Sequence, residues 1–198
     1  MSPEKETKNK PIFNTEDYIL YILNRLEPDK SDKIKLNKIA FFVEFAYFFN
    51  KEKALSDAQY AAIDKGAVID SYDLILKKMQ KEKKITIDGY IIRPLQFPKI
   101  DVPEDASLFI DPLIKKYSSL NNNELIGLSH DTDSWKITTN NEQIMGNIID
   151  KKLAFLETFF CENEADEKTI NENKLAQSNL CPFHRICPAG LSPVQEPT

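Results

Sequence analysis

The chain has 198 residues, of which 41% are hydrophobic, and a formal net charge of -5 at pH 7. This length suffices for one domain with its own core and does not require two. No apolar run reaches the length of a membrane-spanning helix, and no apolar segment of the secretory-signal type follows the polar N-terminus, so we expect a cytoplasmic protein without a membrane segment. The negative net charge disfavours nucleic-acid binding unless a strongly basic surface is present locally.

The first predicted helix follows residues 1–11, which are polar and expected to be disordered. Asn14 or Thr15 is a suitable N-cap, because either side chain can accept a hydrogen bond from a free backbone N–H group of the first turn. An apolar stripe with helical spacing follows, and Pro28 ends it. The sequence therefore predicts an amphipathic helix that places one face on the core.

The second predicted helix is the most apolar segment of the chain. Ser31 and Asp32 are its start signal, and it runs to about Asn50. Phenylalanines such as Phe42 and Phe45 extend its apolar surface over nearly all faces. A helix that is apolar on most faces is surrounded by its neighbours, so we expect this one at the centre of the fold.

A third helix and a hairpin are predicted in the middle of the chain. Gly66 interrupts the pattern before a helix over about residues 68–83, whose last turns are rich in lysine. The segment 85–92 places β-branched and aromatic residues around Asp88-Gly89, a pair suited to a type I′ turn. The sequence therefore predicts one small β-hairpin directly after the lysine-rich helix.

The remaining elements are predicted to be helical. Three prolines mark an extended connection after the hairpin, and helices are expected over about 108–117, 122–129 and 141–160. The predicted fold class is therefore mainly α, a single compact helical domain over residues 12–160 with one small β-hairpin. Residues 161–198 are first acidic and then rich in Cys and Pro, a composition typical of a tail.

A complete catalytic constellation is not visible in the sequence. There is no Gly-x-Ser-x-Gly elbow and no glycine-rich phosphate loop, and the adjacent Ser129, His130 and Asp131 do not suit a catalytic triad. We therefore expect a protein that is not an enzyme and that binds another macromolecule. His130 and Trp135, the single tryptophan, are candidate anchors for a partner. A core position for Trp135 and a helix-capping position for His130 are the structural alternatives.

The tail contains a spacing that suits a metal ion. Cys181, His184 and Cys187 are each separated by two residues, and Cys161 lies twenty residues before the first of them. Thiolate and imidazole ligands at such spacing can bind Zn²⁺ in tetrahedral geometry, with Cys161 as the fourth ligand. The spacing differs from that of paired CxxC motifs, and free thiols are the alternative. No cofactor other than this zinc is expected.

Three blocks of the sequence share residue types and order with one known family. They are Lys35-Leu-Asn-Lys-Ile with the aromatic residues after it, Ala61 to Tyr72 around Gly66, and Glu124-Leu125 with Ser129-His130 and Trp135. Together they resemble the Panacea domain of SocA-like antitoxins over about residues 17–157. The chain departs from the family pattern at three positions, where Ile63 replaces Trp, Ala67 replaces Pro and Ser129 replaces Thr.

The resemblance implies a small helical domain that binds and neutralises a protein toxin encoded beside it in a prokaryotic or phage genome. In one branch of the family the antitoxin is an adaptor that delivers the toxin to a protease. We expect the partner-binding residues in the second and third blocks, at Gly66, Asp70, Tyr72, His130, Asp131 and Trp135. No membrane partner is expected.

A winged-helix-like regulator that binds nucleic acid is the alternative function. In that interpretation the lysine-rich end of the third helix and the Asp88-Gly89 hairpin, as its wing, contact the phosphate backbone. The acidic wing tip and the negative net charge oppose it. Toxin neutralisation is therefore the preferred hypothesis.

Overall fold

A computed structural model of the chain describes residues 10–158. Its elements are α1 (Thr15–Leu23), α2 (Lys33–Lys51), β1 (Tyr60–Ile63), β2 (Gly66–Ile69), α3 (Tyr72–Lys81), β3 (Ile85–Asp88), β4 (Ile91–Pro94), α4 (Glu104–Ser118), α5 (Asn122–Asp131), α6 (Asp133–Thr139), β5 (Ile148–Ile149) and a final 3-10 helix (Lys151–Leu156). The mainly α class is confirmed, but two small antiparallel sheets take the place of one hairpin. No helix among these residues is both long and apolar enough to cross a bilayer.

The predicted helix starts near the N-terminus are confirmed. Asn14 caps α1 and accepts a hydrogen bond from the backbone N–H of Asp17 at 2.9 Å. Asp32 caps α2 and accepts from the backbone N–H of Lys35 at 3.0 Å. Polar side chains with short reach satisfy N–H groups that have no partner within the helix, which is why these starts are readable from sequence.

α2 is the central helix, as its composition predicts. From Lys35 onward, 13 consecutive residues are buried, and both Phe42 and Phe45 are completely inaccessible. α1, α4, α5 and the 3-10 helix pack around it. The Phe42 ring stacks on Tyr117 of α4 with 4.6 Å between centroids, and the Phe45 ring meets Tyr60 of β1 edge to face at 5.7 Å.

The first sheet was not predicted. β1 and β2 form an antiparallel hairpin, and β5 pairs with the other side of β1, which gives the order β2-β1-β5. The predicted start of the third helix at Val68 is therefore wrong, because Gly66–Ile69 is a strand and α3 begins at Tyr72. Short strands that contain alanines resemble helical segments in periodicity, which explains the error.

The second sheet is the predicted hairpin. β3 pairs with β4 so that Asp88 lies opposite Ile91, which makes Gly89 and Tyr90 the two turn residues. Of these two, only Gly89 has a positive φ, of 59°. This pattern fits a type II′ turn, so the predicted type I′ turn centred on Asp88-Gly89 is shifted by one residue. The Ile92 N–H donates to the Ser31 carbonyl at 2.7 Å and attaches the sheet to the start of α2.

The predicted helix over residues 141–160 is wrong within the described part of the chain. α6 ends at Thr139, and the next three residues, Asn140, Asn141 and Glu142, all have positive φ. A right-handed helix cannot continue through three left-handed residues, and Asn tolerates that conformation better than most residues. The chain then forms β5 and the 3-10 helix, which return it to β1 and α2.

Candidate functional site

The free edge of β2 is closed by side chains from α2 and α5. The Ala67 N–H donates to Ser129 Oγ at 2.8 Å, and the Ala67 carbonyl accepts from Lys38 Nζ at 2.7 Å. Two residues along, the Ile69 N–H donates to Asn37 Oδ1 at 2.8 Å. An edge strand with free backbone groups can recruit a further strand. These three bonds occupy the N–H and C=O groups of Ala67 and the N–H group of Ile69, which such a strand would need.

Gly66 permits this close approach. Its φ is +83°, and a Cβ atom built there would lie 2.4 Å from Ser129 Oγ and 2.8 Å from Lys38 Nζ. A side chain would therefore be strained in its backbone and would also overlap two buried groups. Gly66, a predicted partner-binding residue, is buried and not accessible to a partner; it lets Lys38 and Ser129, from the first and third sequence blocks, approach β2 closely. We call the cluster of Lys38, Gly66, Ala67 and Ser129 the junction.

Lys38 is a buried cation in the junction, with only 1% of its surface exposed. Burial lowers the pKa of Lys38 to about 7, because a low-dielectric environment disfavours the charged ammonium. Its hydrogen bond to the Ala67 carbonyl satisfies one of the three ammonium protons. The junction therefore contains an interior ammonium group whose lowered pKa favours its neutral form more than that of an exposed lysine.

The other lysine of the first block also has a structural contact. Lys35 Nζ donates to the carbonyls of Ser118 at 2.9 Å and Leu120 at 2.8 Å, at the C-terminal end of α4. Carbonyls at a helix end have no partner within the helix and carry partial negative charge, so a cation is favourable there. The two lysines of this block thus fasten α4 and β2 to the central helix.

Trp135 and His130 form a stacked pair next to the junction. Trp135 is 1% exposed, and its Nε1–H donates to the Ile63 carbonyl of β1 at 3.3 Å. The His130 ring lies on the indole with 4.3 Å between centroids and 25° between planes. His130 is half-buried, and its Nε2 has no hydrogen-bond partner within residues 10–158. Trp135 therefore has an interior position, which was the alternative to a role as a partner anchor. Its indole ring packs against the His130 ring.

The remaining predicted partner-binding residues lie at the surface. Asp70 is exposed immediately after β2, and Tyr72, half-buried, begins α3 with Lys33 Nζ 5.9 Å from its ring centroid. Asp131 ends α5 with 69% of its side chain exposed and lies 3.9 Å from Lys136 Nζ. These residues and His130 flank the two ends of β2. We call Asp70, Tyr72, His130 and Asp131 the rim.

A family model described as "Antitoxin SocA-like, Panacea domain" matches residues 36–136, about half of the chain. The chain belongs to this family. The match contains the whole junction, the whole rim and the stacked Trp135. No curated protein and no solved structure matches the chain significantly.

Two buried carboxylates that the sequence analysis missed hold the end of the described chain on the Panacea domain. Glu44 of α2 accepts from the Ser56 N–H at 3.0 Å and from Lys151 Nζ at 2.8 Å. Glu157 accepts from the backbone N–H groups of Asp133 and Ser134, each at 3.0 Å, at the start of α6. Burial raises the pKa of both carboxyls. Each is enclosed by structural partners, and a glutamate within an apolar run was the only sequence signal for Glu44.

The predicted zinc ligands Cys161, Cys181, His184 and Cys187 lie outside the described residues, so the zinc site stays a prediction. Within residues 10–158, no group of three His, Cys, Asp or Glu side chains is placed to hold a metal ion.

Proposed function

We propose that this protein is an antitoxin that neutralises a protein toxin by direct binding, with the rim at the centre of the contact surface. Membership of the SocA-like antitoxin family carries the proposal. The position of the rim adds support, because two carboxylates, a phenol and an imidazole lie next to the junction where the three sequence blocks meet. Neutralisation by covering a toxin requires an interface of ordinary size and a few anchoring side chains, without a reactive group.

The junction gives the rim a fixed geometry. Asp70 and Tyr72 continue directly from β2, whose backbone is held by Asn37, Lys38 and Ser129. His130 is stacked on a buried indole. Anchors that are already ordered in the free protein lose little conformational entropy on binding, which favours affinity.

The charges of the rim favour a basic toxin surface. Asp70 and Asp131 are both exposed carboxylates, and the whole protein carries a net charge of -5. Charge complementarity accelerates association and rejects partners of the wrong sign. Tyr72 and His130 supply flat aromatic faces beside these charges, and aromatic side chains are enriched in protein interfaces.

Co-expression with the product of each adjacent reading frame tests the proposal. We expect one neighbour to inhibit growth when expressed alone, and this protein to restore growth and to co-purify with it at ordinary salt. The same experiment in cells without their cytoplasmic proteases separates two modes of neutralisation, because covering the toxin persists there and delivery to a protease does not. If no neighbour is rescued and none co-purifies, the antitoxin proposal is wrong.

A further inference from the structure

The surface formed by α3 and the β3–β4 hairpin has a charge opposite to that of the whole protein. Lys77, Lys81 and Lys83 are exposed there, and within residues 10–158 none of their ammonium groups forms an ion pair or a hydrogen bond. Lys77 and Lys81 are four residues apart on α3 and therefore share one face of the helix. Three uncompensated positive charges thus lie within seven residues of the chain in a protein of net charge -5.

The carboxylates near this surface are bound to other cations. The pairs are Glu16 with Lys78 at 2.7 Å and with Lys84, Glu82 with Lys84 at 2.6 Å, and Asp88 with Arg93 at 3.8 Å. Because these acids are already partnered, they do not neutralise Lys77, Lys81 or Lys83. The local basic surface that nucleic-acid binding requires in an acidic protein is therefore present here.

Two exposed aromatic side chains lie in the β3–β4 hairpin and in the segment that follows it. Tyr90, at the turn of the hairpin, is 86% exposed, and Phe97, three residues after β4, is 78% exposed. They are the most exposed large hydrophobic side chains in the described part of the chain. Gln96 Nε2 donates to the Lys83 carbonyl at 3.2 Å and holds the segment that carries Phe97 beside the end of α3. Large apolar side chains with this exposure indicate a contact surface.

We propose that this surface, made of Lys77, Lys81, Lys83, Tyr90 and Phe97, binds single-stranded nucleic acid. The lysines contact phosphates, and the two rings stack on bases whose faces are free in a single strand. A duplex hides these faces within its own base stack, and an acidic peptide has no flat groups for the rings. The combination of unpaired lysines with exposed rings therefore favours a single strand over both. The proposal concerns α3 and the hairpin, and it is independent of the toxin-binding rim.

Fluorescence anisotropy of the full chain with labelled oligothymidine and oligouridine of about 20 nucleotides tests the proposal, since this length exceeds ordinary binding-site sizes. With about three phosphate contacts, a plot of log affinity against log salt concentration has a slope of about -2. Doubling the salt concentration therefore weakens binding about fourfold. Replacing Tyr90 or Phe97 by alanine weakens binding about tenfold, because one stacked base is lost.

A matched pair of charge-reversal variants controls for net charge. The test variant replaces Lys77, Lys81 and Lys83 by Glu, and we expect it to lose detectable binding. The control variant carries Lys65→Glu, Lys115→Glu and Lys152→Glu, which are also exposed lysines and give the same net charge. We expect it to retain most of the binding. Thermal unfolding of both variants verifies that they are folded.

Several outcomes overturn the proposal. They are the absence of binding to both strands at low salt, an equal loss in the two charge-reversal variants, and competition by polyglutamate as strong as that by the unlabelled strand. A duplex of the same length that binds as tightly as its single strands contradicts the preference for exposed bases. Retained binding in both Tyr90→Ala and Phe97→Ala contradicts the stacking role of the rings.

Discussion

The junction and the rim are neighbours in sequence and in space, yet they differ in what their side chains do. Ser129 of the junction is completely buried and bonds to the backbone of β2, whereas Asp131, two residues later, has 69% of its side chain exposed. The same holds for the buried Gly66 and the exposed Asp70. Residues that mark a family in sequence can therefore be determinants of the fold, and the contact residues lie beside them.

The comparison predicts that substitutions in the interior lower stability and that substitutions on the rim change binding alone. The central helix gives the largest expected effect. Phe42→Ala or Phe45→Ala removes a fully buried ring, and we expect each to lower the free energy of unfolding by about 3 to 5 kcal/mol. Phe97→Ala, at a ring that is 78% exposed, is the control and should have little effect. A loss below about 1 kcal/mol at both buried sites in urea denaturation contradicts the central position of α2.

Gly66→Ala tests the junction itself. The new methyl group would lie 2.4 Å from Ser129 Oγ at a φ of +83°. Left-handed backbone strain and overpacking together are expected to lower the free energy of unfolding by about 2 to 5 kcal/mol. Gly89→Ala is the matched control, because φ is +59° there and a Cβ atom meets nothing within 4 Å. We expect backbone strain alone to lower the free energy of unfolding of this variant, by about 1 to 2 kcal/mol. Equal losses in both variants would show that the contacts around Gly66 contribute nothing.

Local signals explain which parts of the fold were predictable. The pairs Asn14 or Thr15 and Ser31 with Asp32 were recognised as helix starts because a cap depends on residues within three positions. The β3–β4 hairpin was recognised from its alternation and from Gly89, although the turn is shifted by one residue. β1 and β2 were missed because their four-residue segments pair with each other and with the distant β5, and such pairing leaves little trace in either segment.

The sequence blocks that form the site could be predicted, but the way in which they meet in space could not. Lys38 and Ser129 lie 91 positions apart in the chain and meet only because both bond to Ala67. The sequence blocks alone left a core position and an anchor position open for Trp135, and they did not separate the buried Gly66 from the exposed Asp70 and Asp131. This division depends on how α5 packs against β2, which is a tertiary property.

Lys38 adds a pH dependence to the stability of the junction. Burial lowers its pKa from 10.5 to about 7 in the folded protein, so the unfolded chain binds more protons between these values. The free energy of unfolding therefore contains a contribution from Lys38 that rises with pH above about 7, by at most about 1.4 kcal/mol per pH unit. Lys38→Met removes it. We expect the stability of the wild type relative to this variant to increase between pH 7 and pH 9 in urea denaturation, and a difference that is constant with pH would contradict the assignment.

Asp131→Lys is expected to have the smallest effect on stability and a clear effect on binding, and it rests on the proposed antitoxin function. The side chain is 69% exposed, and its nearest cation, Lys136, is 3.9 Å away, so neither packing nor a strong ion pair is lost. The unfolding transition should therefore stay in place, whereas rescue of toxin-inhibited growth and co-purification should weaken, because a positive charge replaces a negative one at the proposed contact surface. Asp101→Lys, at an exposed carboxylate in the connection before α4, gives the same change in net charge and should preserve rescue. If both variants rescue growth equally well, Asp131 is not at the toxin interface. If Asp131→Lys lowers stability and rescue together, the role of Asp131 is structural, and the division between junction and rim fails at this residue.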